Sequence, residues 1–446
     1  MPSANISLES LTDGEKIALA AIEITSVPHA TVIGDEAKPV EEIVSQYKLE
    51  FAGLLNELYQ SYKTMSISAG ISKDFSFELL WKTTQVKNQP YNASIRLFII
   101  IRAIDADEKV ATASVESLVK LCISTLTLQK YDFRYIPYAE LSGEIRKISD
   151  SCVKALVKEE KVENLQNQLL PYCYSYDRIP VSSNDLSRIV NALIDYPDCA
   201  ISMQLIPTIF EGAESAEIDR ITQMLETLSK GVMDQSVGNI SFALAEKHSM
   251  DYRYYSENKT KPLFVFNILI YGEATASSNI ASRVFGQLSS GIETSAGLKL
   301  VDVDRSEVMK DTNFYPLPWA VNEILLNKER NYQIWSSGQF SNALYRLPYI
   351  ITSEEASEFF RLPIGSERIS AGLSINESGK SNRTYATNII NAGDITIGKL
   401  RSSSKEDTIG FSLKDLAKHM LVVGTPGSGK TTFSVSLLDR LWKKYH

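Results

Sequence analysis

With 446 residues and 44 % apolar content, the chain is long enough for roughly two to four domains with ordinary cores. A net charge of −8 and a pI near 5.3 exclude a broad basic face that coats nucleic acid, while leaving room for a narrow basic pore or loop. Four scattered cysteines (Cys122, Cys152, Cys173, Cys199) and four histidines give no sign of a zinc site or disulfide framework, and the first residues lack the basic-then-apolar arrangement expected of a signal peptide. The strongest apolar run, Leu97 to Ile104, is far short of a membrane span and is interrupted by Arg102, so a soluble cytoplasmic protein with no transmembrane segment is expected.

Lys16 to Ile24 reads as a strand. A helix follows from Val40 to Lys63, with Ile43, Val44, Tyr47, Phe51, Leu54, Leu55, Leu58 and Tyr62 recurring at helical spacing. Phe75 to Trp81 alternate as a half-buried strand, Ser94 to Ile104 form another, and Asp107 opens a second helix that leads to a short strand at Phe133 to Ile136. This order, strand, helix, strand, strand, helix, strand, predicts a ferredoxin-like α/β domain over residues 1–137. A helical connector without chemistry is expected over 138–199. A second ferredoxin-like α/β domain is expected over 200–310, from strands at Ile201 to Leu205, Leu263 to Tyr271 and Leu298 to Val303, with one strand not evident.

Residues 311–363 read as a linker with a short helix, started by the capping box Thr352-Ser353-Glu354-Glu355. Short β-like runs over 364–410 predict a β-rich, barrel-like segment, and 411–446 the start of a RecA-like P-loop domain. The fold class expected for the whole is α/β.

The chemistry is concentrated near the end of the sequence. Met420 to Val423 form an apolar run suited to a buried parallel strand, and Gly424-Thr425-Pro426-Gly427-Ser428-Gly429-Lys430-Thr431-Thr432 fits the phosphate-loop pattern G-x-x-x-x-G-K-[ST]. Such a loop exposes backbone N–H groups to an anion and starts a helix whose positive end faces the same phosphates. Lys430 is expected to neutralise the β- and γ-phosphates of ATP, Thr431 to ligate Mg²⁺, and the Gly427 to Thr431 backbone to cradle the oxygens, with Thr432 a bystander. Phe433, Val435, Leu437, Leu438, Leu441 and Trp442 supply apolar positions for the following helix, and Arg440, Lys443, Lys444 and His446 complement its dipole.

Other signals have plainer readings. Gly379-Lys380-Ser381 lacks the spacing of a second phosphate loop and reads as a turn. The aromatic and basic clusters at Tyr131 to Tyr138 and Tyr252 to Tyr255 could stack bases, but no nearby basic groove supports that, and covering a sheet edge or interface is the better expectation. The acidic strand end that a P-loop ATPase needs does not follow Thr431, which predicts a fragment of a longer protein with poor hydrolysis by itself.

The run Ile351 to Pro363, the β-rich segment ending Asp394 to Leu400, and Lys418 to Val423 leading into Gly424 to Thr432 together resemble the start of the ATPase domain in the HerA/FtsK superfamily. The likeness is to HerA-like ATPases and their relatives in conjugation and type IV secretion. The resemblance implies a hexameric, DNA-translocating motor or helicase that hydrolyses ATP, in phage defence or conjugation, or a protein-secretion ATPase. A scaffold with a regulatory nucleotide site, its N-terminal domains docking a protein partner, is the alternative.

Overall fold

The computed structural model describes most of residues 6–303 and 344–376, with gaps at connections, then 395–399, 408–411, 422 and 429–445. Helices and strands are mixed, and the chain is of the α/β class.

The first unit contains β1 (Ser7–Ser10), β2 (Lys16–Pro28), α1 (Val40–Met65), β3 (Asp74–Gln85), β4 (Ala93–Asp105), α2 (Glu108–Leu128) and β5 (Asp132–Ile136). Asp107 caps α2 by accepting from the Lys109 N–H at 2.9 Å, which satisfies one of the N–H groups that a helix start leaves open. β5 pairs with β2, β2 with β4 and β4 with β3, all antiparallel. The spatial order is therefore fourth, first, third, second, which is the split βαβ arrangement.

The second unit repeats that order with insertions. Its strands are β6 (Cys152–Lys158), β9 (Ala200–Thr208), β10 (Leu263–Gly272) and β11 (Leu298–Val303), running β11-β6-β10-β9 across the sheet. Between β6 and β9 lie the hairpin β7 (Glu160–Asn164) with β8 (Tyr172–Tyr176) and the helix α3 (Ser187–Ile194). Helices α4 (Gly212–Ser229) and α5 (Asn239–Glu257) are inserted before β10, and α6 (Ala274–Leu288) follows it.

The strand that was not evident in the sequence is thus β6, and it lies inside the segment expected to be a helical connector. That expectation is corrected: 138–199 supplies three strands and a single described helix of regular length. Val153, Ala155 and Val157 alternate, but Ala155 and Leu156 are good helix formers, and the pairing of β6 with β10 and β11 is what decides for strand.

The two units also share one sheet instead of standing as separate domains. β3 pairs antiparallel with β9 from Phe77↔Leu205 to Lys82↔Ala200, so equivalent strands meet at the seam and an approximate twofold axis passes between the units. Each strand would otherwise be an exposed edge with unpaired N–H and C=O groups. Helices α1, α2, α3 and α6 all contribute to a single apolar cluster against one face, with Phe75, Phe77, Leu79 and Trp81 of β3.

The opposite face is buried and partly polar. Leu80, Phe98, Ile100 and Leu269 lie there, interrupted by a row through Glu78, Gln204 and Asn267, which are consecutive register partners on β3, β9 and β10. Glu78 accepts from Arg102 Nη2 and from the Ser202 hydroxyl at 2.6 Å each, and Gln204 donates to Ser202 at 2.9 Å.

Helix α2 is long and apolar enough by composition to cross a membrane, which the longest apolar run in the sequence was not expected to be. Its Ala111, Val115, Leu118, Val119, Cys122 and Leu126 are instead buried in the core against the sheet.

Residues 304–343 lie outside the described residues. From Leu347 the segment expected to be a linker is built into the core, a second correction. A 3-10 turn (Leu347–Tyr349), β12 (Ile350–Thr352) and α7 (Ser353–Ala356) are buried except for the half-buried Tyr349 and the exposed Glu354, and β12 pairs with β10. The capping box is present: Thr352 accepts from the Glu355 N–H, and Glu355 accepts from the Thr352 N–H at 2.9 Å. Lys158 bonds Glu355 at 3.1 Å, and Lys48 pairs with Glu358, so buried charges on this strap are met by lysines from the sheet and from α1. Within the expected barrel-like segment the described residues give β13 (Ile375–Asn376), parallel to β2, and the hairpin β14 (Ile395–Lys399) with β15 (Thr408–Phe411).

Candidate functional site

The phosphate-loop sequence meets a helix where the chemistry needs one. Lys430 is the first residue of α8 (Lys430–Tyr445), and the Phe433 N–H closes the first turn onto the Gly429 carbonyl at 2.9 Å. Gly429 has φ +81°, a conformation that costs any residue with a Cβ. Among the described residues no atom lies within 4 Å of where its Cβ would be, so the positive φ is the described reason for a glycine here.

Gly424, Thr425, Pro426, Gly427 and Ser428 lie outside the described residues, as do Met420, Leu421 and Val423 of the expected strand; Val422 is in no regular element. Lys430 is half-buried, and Thr431 and Thr432 are exposed at the helix start. A helix of 16 residues presents unsatisfied N–H groups and a partial positive charge at this end, which suits a phosphate. Among the described residues no group of three His, Cys, Asp or Glu could hold a metal ion. The donor set at Lys430–Thr431 fits Mg²⁺ only in the form a phosphate brings it, with one hydroxyl from the protein and the remaining ligands from phosphate and water.

The packing of α8 differs from the expected inward face. Leu437 is buried, but Val435, Leu438 and Trp442 are 60 %, 65 % and 65 % exposed. Among the described elements the helix touches β14, where Arg440 donates to the Thr396 carbonyl at 2.5 Å. Lys443 pairs with Asp439 at 2.8 Å one turn back, near the negative end of the helix.

Tyr131, Tyr252 and Tyr255 of the two tyrosine clusters are built into the fold. Tyr252 and Tyr255 are buried and donate to the Tyr174 and Tyr176 carbonyls of β8 at 2.9 and 3.0 Å, and Arg178 lies over the Tyr254 ring at 4.1 Å. Tyr131 is buried and donates to the Pro363 carbonyl at 3.1 Å, tying β5 to the strap. Gly379, Lys380 and Ser381 lie outside the described residues.

One charged cluster was not singled out in the sequence. Glu23 of β2 accepts from Arg96 of β4 and Arg134 of β5 at 2.6 Å each, and Arg134 also bonds Glu140 at 2.6 Å. Glu23, Arg96 and Arg134 are far apart in the chain and sheet pairing joins them, whereas Glu140 lies six residues after Arg134. The chain matches no protein-family model, and no curated protein matches it significantly.

Proposed function

We propose that the chain binds ATP with Mg²⁺ at Gly424 to Thr431 and forms the platform and nucleotide-binding start of a HerA/FtsK-like motor ATPase that moves DNA. The observation that carries the reading is Gly429 at φ +81° directly before Lys430, the first residue of a 16-residue helix, within the pattern G-x-x-x-x-G-K-T. In this reading Lys430 neutralises the β/γ-phosphates, the Thr431 hydroxyl ligates Mg²⁺, and the loop backbone donates to phosphate oxygens. A cytoplasmic hexamer is the assembly that the family resemblance implies.

Mg²⁺-dependent binding of a fluorescent ATP analogue tests it. Wild type should bind and Lys430→Ala should lose at least about tenfold in affinity, since a phosphate-contacting charge is removed. Equal binding by both proteins would sink the nucleotide assignment, and ATP-independent failure to retain double-stranded DNA or form a defined oligomer would sink the motor assignment.

A second reading keeps the nucleotide site as regulatory and makes the protein a scaffold. It is favoured by the size of the shared sheet, which joins two ferredoxin-like units into one body, together with the net charge of −8. A protein that binds ATP, ignores DNA and docks a protein partner would fit this reading.

A further inference from the structure

The hairpin β7–β8 forms a small sheet of its own beside the main one, and α5 packs along β8. Two of the links between them are neutral. Tyr252 and Tyr255 of α5 donate to the Tyr174 and Tyr176 carbonyls, and burial pushes both phenols well up, so neither ionises near neutral pH. The third link can change charge. His248 shares a buried stripe of α5 with Ala245, Tyr252 and Tyr255, and its ring has no exposed surface. Its Nε2 is 2.9 Å from Glu163 Oε2 of β7, while its Nδ1 faces Asp251 Oδ2 at 3.8 Å and makes no hydrogen bond.

We propose that His248 is a proton-operated latch, which holds the hairpin β7–β8 against α5 while the His248–Asp251 pair carries a proton and loosens it when that proton leaves. A neutral imidazole has one N–H. Once that hydrogen is given to Glu163, Nδ1 is a buried acceptor turned toward a carboxylate, with no hydrogen between the two. A proton held on Nδ1 or on the facing Asp251 oxygen removes the mismatch, and its loss restores the cost of an unsatisfied buried group. Turning the ring does not relieve it, because the Nε2 contact is the one that reaches β7.

The groups around the ring come from each element packed there. Burial pushes the Glu163 carboxyl up, but His248 and Lys247, whose Nζ is 3.3 Å from Glu163 Oε1, together hold it below its ordinary value. β8 brings Cys173, its thiol pushed up by burial and by the Asp251 and Glu163 carboxylates. Beyond β8, Arg178 and Asp177 act on Asp251 with opposite sign, and Asp177 is itself bonded to Lys161 at 2.6 Å. Helix α4 adds Arg220 and Glu217, which pair with each other at 2.7 Å. Imidazole is the side chain whose charge ordinarily changes between about pH 5 and 8, and His248 is the one histidine in this set. The latch is therefore closed on the acid side of that range and released as pH rises. Because the hairpin is a separate sheet, it can open without disturbing β3 or β10.

Hydrogen exchange of the full chain from about pH 5.5 to 8, corrected for the intrinsic rate, tests the latch. Protection of β7 and β8 should fall about three- to tenfold across that range while β3 and β10 keep theirs, since one released proton changes an opening equilibrium by at most about tenfold per pH unit. His248→Gln should remove the dependence. Asp251→Asn can offer its own N–H to Nδ1 and should keep the hairpin protected at the alkaline end, the reverse of what loss of a contact would do. If hairpin protection in the wild type is independent of pH, if β10 loosens in step with the hairpin, or if Asp251→Asn retains the wild-type dependence, the proposal is overturned. Should His248→Gln fail to fold, Asp251→Asn decides alone.

Discussion

Arg102 Nη2 donates to Glu78 Oε2 at 2.6 Å across β4 and β3, and neither side chain has any exposed surface. Removing one partner of such a pair leaves a buried charge uncompensated, whereas removing both does not. Arg102→Met should therefore cost about 3–5 kcal/mol in urea unfolding, and adding Glu78→Leu should restore most of that loss. If the double variant is as unstable as the sum of the singles, the two residues are not coupled.

Glu355 joins three elements. One oxygen accepts from Lys158 Nζ at 3.1 Å and the Ile179 N–H at 3.0 Å, and the other accepts from the Thr352 N–H at 2.9 Å. Thr352→Ala removes one cap contact and should cost about 1 kcal/mol. Glu355→Ala should cost more, about 3–5 kcal/mol, because the Lys158 side chain is fully buried and loses its carboxylate. Chemical denaturation of the two variants gives the ranking, and the reverse order would contradict it.

Burial pushes the Asp251 carboxyl up, against the pull of His248 and Arg178. The folded chain then holds that proton more tightly than the unfolded chain, so this group's effect on stability worsens as pH rises through the unfolded and then the folded pKa. Asp251→Asn should raise Tm at neutral pH, with the advantage disappearing as pH falls below about 4, where Asp is protonated in both states. A constant shift at every pH would show that the change acts by packing.

Thiol reactivity should separate the cysteines. Burial pushes Cys122 and Cys199 up to about 12, Cys199 also facing the Asp198 and Glu273 carboxylates, and burial raises Cys173 further, while Cys152 is exposed. A maleimide should label Cys152 rapidly in the native protein and the others only on unfolding, with mass spectrometry locating the adduct.

Gly429→Ala should cost roughly 1–2 kcal/mol locally through its positive φ, since a Cβ there meets none of the described residues within 4 Å. Nucleotide affinity should fall while the melting of the platform sheet stays unchanged. Loss of the whole fold would show that α8 is more deeply integrated than its exposed Val435, Leu438 and Trp442 indicate.

The elements that carry their own signal were legible. The stripe of α1, the alternation in β3, the cap at Asp107 and the box at Thr352 to Glu355 are each written within a few residues, and so is the glycine before Lys430. β6 was not legible, because Cys152–Lys158 has no strong local preference and becomes a strand only between β10 and β11. The strap was misread for a related reason: a polar segment with charged residues looks like a surface linker until Lys48 and Lys158 are brought to it from more than a hundred residues away.

The sequence by itself determined the local patterns, namely a phosphate-loop motif followed by a helix, and the βαββαβ order of the first unit, since helix periods, strand alternation and backbone conformation depend on neighbours in the chain. The tertiary structure alone decided that both units share one sheet through β3 and β9, that Glu78 finds Arg102 and Ser202, and that Glu23 gathers Arg96 and Arg134. Those contacts depend on strand register and on which charges burial brings together, and neither is a property of any short stretch of residues.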